Sequence, residues 1–323
     1  MICFLTVATG AATFAWFASY RSPGAATIYF EKGSSLRKIS LTLEENKMVP
    51  SAVGFELMAR LKGKGGKLKA GEYEFPAGSR PGDILRTMVE GKVKLYSVTI
   101  PEGFSLREIG AVLHRNGLTT VSEWEQLVRD PRLIAETGTN SATLEGYLFP
   151  DTYLYEKRAT AKDLIRQMTD LFKKKAMPDL IAEAKQKGMT LNQWVTLASI
   201  VEKETGVPSE RPLIASVFQN RLQKGMLLQS DPTVIYGIPN FNGNLTRADL
   251  ERDSPYNTYM RPGLPPGPIC SPGLDSLMAA LRPAQTGYLY FVAKGDGSHY
   301  FSTNLEEHNR AVTYYQLKRG TRP

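Results

Sequence analysis

Glu202 and Glu204 close the run ASIVEKET at 198–205. A carboxyl group works as an acid near neutral pH only if its surroundings raise its pKa, and an apolar surround does this by penalising the charged form. The segment 190–211, TLNQWVTLASIVEKETGVPSER, predicts a helix able to supply that surround. Thr190 and Gln193 fit a capping box at its start, and Gly206 followed by Pro208 predicts its end. Stepping about 100° per residue from Trp194 puts Thr196, Ser199 and Lys203 on one polar face, expected to be wet. Glu202 falls near about 80°, and Glu204 near about 280°, between Leu197 and Ile200. Burial and the negative end of the helix dipole would both raise the pKa of Glu204, which suits a general acid. An ordinary solvated helix end is the competing reading, because E-K-E spacings are common on wet helices.

Residue types exclude several other chemistries. The two cysteines, Cys3 and Cys270, cannot build a disulfide framework or a Cys₄ metal site. His114, His299 and His308 lack metal-ligand spacing, so no metal and no cofactor is expected. With 40 Lys and Arg against 32 Asp and Glu, the 323-residue chain carries a formal charge of +8. No nucleic-acid motif accompanies that charge, and no nucleic-acid partner is expected. The densest basic cluster, LKGKGGKLK at 61–69, reads as a solvated loop. At 42 % apolar and 22 % charged residues, the composition is globular, with room for two or three domains.

The elements that must position Glu204 follow a chain-long plan. Residues 2–20 carry no charge and just span a hydrocarbon core of about 30 Å, with Trp16 and Tyr20 near the exit end. A transmembrane anchor over 1–22 is expected, a cleaved signal peptide being the rival. Next comes a duplication: GSSLRKISLTLEENKMV at 33–49 matches GFSLREIGAVLHRNGLT at 103–119 at a constant offset of 70 residues. Each copy follows a strand-like run and opens a helix behind a Ser cap. PAGSRPGDILRTMVEGK at 76–92 is a looser version. Helices are predicted over Ala161–Lys175 and Glu210–Lys224, and Tyr288–Ala293 pairs with Ser298–Ser302 as a hairpin through KGDG. Thr303 and Glu306 are expected to cap a last helix carrying His308. Helices and strands mix without βαβ alternation, so the class is α+β.

Gly-x-Ser-Leu before a helix resembles LysM-type glycan-binding modules, and the repeat reads equally as a glycan binder or a spacer. ASIVEKET, with LQSDPTVIYG at 228–237, resembles the endolytic murein transglycosylases, or YceG-like proteins. The resemblance continues through LEGYLFPDTY at 144–153, SPYNTYMRPGLPPGPICSPG at 254–273 and YLYFVAKGDGSHYFSTNLEEHN at 288–309. It implies a LysM-like α+β module over 23–95, a second related unit or connector over 96–140, and a catalytic domain with a lysozyme-like catalytic helix over 141–323. It also implies a single-pass inner-membrane protein with its catalytic domain in the periplasm, acting on peptidoglycan glycan strands beside cell-wall synthases. The implied activity is that of a polysaccharide lyase, cutting the MurNAc–GlcNAc bond to leave 1,6-anhydroMurNAc ends, with Glu204 as acid and then base. Asp231 is the nearest rival carboxylate, although Asp before Pro serves equally as a turn or cap. Gln229, Asp231, Tyr236, Tyr256, Asn257, Thr258, Glu145 and Tyr147 would wall a glycan groove, each reading equally as a core or turn residue. His299 reads first as a satisfied structural histidine and second as a group orienting substrate or acid. A non-catalytic peptidoglycan-binding scaffold is the alternative function, and a muramidase that activates water is a third.

Overall fold

A computed structural model describes residues 13, 15–176 and 178–318. The chain divides into two compact units, Met1–Ser97 with Leu154–Ala159, and Val98–Tyr153 with Thr160–Pro323.

In the first unit β1 (Ala26–Phe30) leads through α1 (Leu36–Glu45) and α2 (Ala52–Leu61) to β2 (Gly71–Phe75). β2 returns antiparallel to β1 with Ile28 opposite Tyr73. The expected Ser35 cap forms by accepting from the Lys38 N–H, and Ser51 caps α2 by accepting from the Gly54 N–H. α3 (Pro81–Glu90) starts with Pro in its first turn and closes on Gly91 at φ 77°. Ile28, Ile39, Leu43, Phe55, Tyr73 and Met88 meet in one core, and Phe17 joins it from the end of the apolar leader. The anchor expected over 1–22 lies largely outside the described residues. Among the described residues no helix is long and apolar enough to cross a membrane.

β3 (Tyr96–Thr99) pairs with β4 (Thr152–Tyr155), and the boundary of the two units falls inside both strands. Between them lie α4 (Leu106–Arg115), α5 (Val121–Leu127) and α6 (Pro131–Glu136). The second unit continues with α7 (Ala161–Ala176), α8 (Pro178–Gln186), α9 (Leu191–Glu204), α10 (Arg211–Gln223), α11 (Asp231–Tyr236), α12 (Arg247–Leu250) and α13 (Leu274–Leu281). The antiparallel hairpin β5 (Tyr290–Ala293) and β6 (His299–Ser302) precedes α14 (Leu305–Tyr315). The protein is α+β with small two-stranded sheets.

The Thr190–Gln193 capping box opens α9 as its sequence requires. The wet face does not form. Thr196 and Ser199 are fully buried, and of the three polar positions only Lys203 is exposed. The Ser199 hydroxyl donates to the Thr196 carbonyl and accepts from the Ile269 N–H, so a distant segment covers that side. A one-helix wheel places hydroxyls outside because it contains no such backbone partner. The helix ends at Glu204, just before Gly206 as expected, but not through a left-handed glycine: the chain leaves at Thr205 in extended geometry (φ −144°, ψ 135°). Pro208–Glu210 then forms a 3₁₀ turn, which delays α10 to Arg211. The last helix is capped one residue later than its Thr-x-x-Glu pattern suggests, by Asn304 accepting from the Glu307 N–H.

Candidate active site

The two glutamates at the end of α9 have opposite surroundings. The Glu202 side chain is 6 % exposed and pairs with the buried Arg211 guanidinium at 3.1 Å, while its other oxygen accepts from the Gly273 N–H. Arg211 also approaches Glu102 at 3.5 Å and Asp275 at 3.6 Å, so Glu202 is committed to a structural ion cluster. Glu204 has no ion pair among the described residues. It is half-buried at the last position of the helix, and its Oε1 accepts from the Ser230 hydroxyl. Burial pushes its carboxyl up to about 7, the Ser230 bond opposes that, the Asp231 charge reinforces it, and the Arg221 charge opposes it. Ser230 uses one oxygen and leaves Oε2 for a proton.

Ser230 is held from two sides. Its N–H donates to Thr258 Oγ1 at 3.0 Å, and Thr258 shares a second hydroxyl contact with Thr233 at 2.8 Å. Gln229 sits at φ 51°, a left-handed conformation uncommon outside glycine. Its N–H donates to the Thr258 carbonyl, and its Oε1 accepts from Arg221 at 3.3 Å. Arg221 also donates to the carbonyls of Leu227, Leu228 and Leu289, and its guanidinium lies 5.1 Å from the centre of the Tyr290 ring. This buried cation fixes the loop that carries Ser230. Asn257 is fully buried, donating to the Leu250 and Arg252 carbonyls and accepting from the Tyr259 N–H, so it closes its own loop. Tyr259 donates to Asp231 at 2.6 Å, and Asp231 is exposed.

A second buried carboxyl group lies at the other end of α11. Glu145 is 3 % exposed and accepts from the Leu106 N–H at 3.1 and 3.2 Å and from the Tyr236 hydroxyl at 3.0 Å. Burial pushes it up to about 7 against those three bonds. Ser230 and Tyr236 flank one short helix, about 9 Å apart along its axis at 1.5 Å per residue. The Tyr236 and Tyr256 rings are tilted together at 4.8 Å, both partly exposed. Tyr147 is fully buried, and its hydroxyl bonds Thr139 and Asn192. Asn192 in turn donates to the Pro266 carbonyl, which ties the GLPPG turn to the start of α9. Gly146, at φ 85°, has no room for a side chain, since a Cβ would lie 2.5 Å from Pro268.

His299 docks the hairpin onto the chain just past Glu204. Its N–H and its Nδ1 both bond the Glu210 carboxylate, at 2.9 and 2.7 Å, and Thr205 contacts the same carboxylate at 3.4 Å. Among the described residues no group of His, Cys, Asp or Glu is placed to hold a metal ion. The site therefore offers one protonatable carboxyl group held by a serine, an exposed aspartate beside it, and a tyrosine pair at the far end of α11. Sequence reasoning missed Arg221, Ser230, Glu210 and Arg211. Only Ser230 carried a local signal, its place within LQSDPT.

The chain matches the YceG-like family over residues 28–314. It is similar to the endolytic murein transglycosylase of Bacillus subtilis (strain 168), 34 % identical over 307 residues, covering 89 % of this chain and 84 % of that protein. It is also similar to the endolytic murein transglycosylase of Streptococcus pneumoniae serotype 2 (strain D39), 32 % identical over 318 residues, covering 88 % of this chain and 57 % of that protein. The fold is shared with the crystal structure of a YceG-like protein from Listeria monocytogenes, at a TM-score of 0.62 and 35 % identity, covering 88 % of this chain and 98 % of that one.

Proposed function

The chain belongs to the YceG-like family, and from that premise we propose that it is an endolytic peptidoglycan lytic transglycosylase with Glu204 as its acid and base. The single observation that carries this reading is the environment of Glu204: half-buried, with no ion pair among the described residues, pushed up to about 7, one oxygen accepting from Ser230 and the other with no hydrogen bond among the described residues. Protonated Glu204 gives its proton to the glycosidic oxygen as the bond from MurNAc C1 breaks. The C6 hydroxyl of the same MurNAc then attacks C1 and passes its proton to the Glu204 carboxylate. The acid is regenerated, no water is consumed, and the product carries a 1,6-anhydro end. An intramolecular nucleophile makes a second catalytic carboxylate unnecessary. Tyr236 and Tyr256 supply ring faces for sugar. In this reading residues 2–20 anchor the chain in the inner membrane with the second unit on the periplasmic side, and cell-wall synthases are the neighbours that supply nascent strands.

Exposed Asp231 favours a second reading. Its charge acts on Glu204, and a carboxylate there could hold a water against C1, which would make the enzyme a muramidase. Mass spectrometry of products from uncrosslinked glycan strands separates the two, because anhydro ends are one water lighter than reducing ends. Glu204→Gln is expected to lower cleavage by about 10²–10⁴-fold. Full cleavage by that variant would overturn the site assignment. Since the acid form reacts, kcat/KM should fall as pH rises through about 7.

A further inference from the structure

The first unit displays an apolar stripe that its own core does not use. On α2, Val53, Leu57 and Leu61 are 62 %, 52 % and 71 % exposed, while Phe55, Met58 and Ala59 of the same helix are buried. Four-residue spacing keeps the three within about 80° of one another around the helix axis. A single exposed leucine is ordinary, but a continuous apolar line on a helix marks a contact surface. The stripe runs directly into the loop 62–69. The side chains of Lys62, Lys64 and Lys67 in that loop form no ion pair and no hydrogen bond among the described residues. The apolar leader arrives on the same helix: Phe17 packs on Gly54, where a Cβ would lie 2.7 Å from its ring, and neighbouring Trp16 is 62 % exposed.

We infer that α2 and the 62–69 loop dock on the anionic surface of a lipid bilayer, the leucines entering the headgroup boundary and the lysines facing lipid phosphates. This rests on the membrane anchor proposed above. Aliphatic side chains beside unpaired lysines are the pattern of an interfacial helix. A glycan would want ring faces and hydrogen-bonding side chains, which the stripe lacks. A second copy of the chain would bring two lysine loops together and repel.

The test uses the full chain with Cys3→Ser and Leu57→Cys, labelled at residue 57 with an environment-sensitive fluorophore; Cys270 is fully buried. Vesicles are phosphatidylcholine alone or 3:1 with phosphatidylglycerol. Flotation with phosphatidylcholine alone reads the anchor by itself, so a chain that fails to float there overturns the anchor reading. In chains that float, the label should shift to the blue and be quenched by lipid-borne quenchers in anionic vesicles, while a label at Glu44→Cys stays water-like. Raising salt from 0.1 to 1 M should release it, as the Debye length falls from about 10 to about 3 Å. Lys62→Gln, Lys64→Gln and Lys67→Gln should each lower the docked-to-free ratio about fivefold. A water-like label at 57 in floating chains overturns the inference. So does a blue shift without vesicles, whether it grows with protein concentration (a second copy) or does not (the leader folded over the stripe).

Discussion

The turn and helix at 33–49 and those at 103–119 share a left-handed glycine, a serine cap and an asparagine at the helix end. Both sit between paired strands, β1 with β2 and β3 with β4, with a second helix behind the first. Their surroundings differ. Around Gly33 there is open space, and the helix that follows α1 leaves its apolar stripe bare. Gly103 instead donates to the Ser271 carbonyl and accepts from Lys203 of α9, and the Leu106 N–H behind it holds Glu145. The buried carboxylates differ in the same way. In the first unit Glu72 bonds Lys157 and Tyr96, and both bonds hold it below the usual carboxylate range. In the second unit buried Glu145 and half-buried Glu204 have no cation partner among the described residues, and both rise to about 7. One motif thus has open space at its turn in one place and is bonded to α9 and to Glu145 in the other. A paired carboxylate stabilises structure, whereas an unpaired one is available to move a proton.

The sharpest way to break this comparison is to delete the carboxyl group itself. Glu145→Ala strands the Leu106 N–H and the Tyr236 hydroxyl, and should cost about 2–5 kcal/mol, confined to the second unit. Hydrogen exchange on peptides from each unit reads the location, and loss of protection spread evenly over both units would contradict the contrast. Next in size is the pH dependence. The folded-state pKa of Glu145 lies above its ordinary 4.5, so the folded state holds the proton more tightly. Its contribution is therefore most favourable below about 4.5 and is lost as pH rises to about 7, roughly 3 kcal/mol in all. Glu145→Gln should flatten that part of a chemical-denaturation series run from pH 4.5 to 8; an unchanged slope would mean the buried carboxyl is not unpaired. Gly33→Ala and Gly103→Ala each force a left-handed side chain and should cost about 1–2 kcal/mol alike. Only the second should also slow glycan cleavage, and an equal slowing from the first would show that both copies serve the substrate. The smallest effect is Ser35→Ala against Ser105→Ala, about 1 kcal/mol each in thermal unfolding. A clear inequality between the caps would show that the two copies are not locally equivalent.

Much of the fold was legible because its signals are local. The Ser35 and Ser105 caps, the Thr190–Gln193 box and the hairpin around Gly295 and Gly297 are set within a few residues. The wheel drawn for α9 failed at Thr196 and Ser199, because a helix read alone has only water to satisfy a hydroxyl. In the protein the Ile269 N–H donates to the Ser199 hydroxyl, while the Thr196 hydroxyl is buried with no hydrogen-bond partner among the described residues. Asn257, Thr258 and Tyr147 look like sugar-binding types in sequence and are fully or almost fully buried, bonded to neighbouring loops.

By itself the sequence determined part of the elements, the duplication and the presence of two glutamates at the end of an apolar helix. It did so because caps, turns and periodicity act over one to four residues. Which glutamate is tied into an ion pair and which is left to hold a proton was decided only in three dimensions. Arg211 arrives beside Glu202, while a loop fixed by Arg221 delivers Ser230 to Glu204. Desolvation and ion pairing depend on what stands within a few ångströms in space, and those neighbours come from distant parts of the chain.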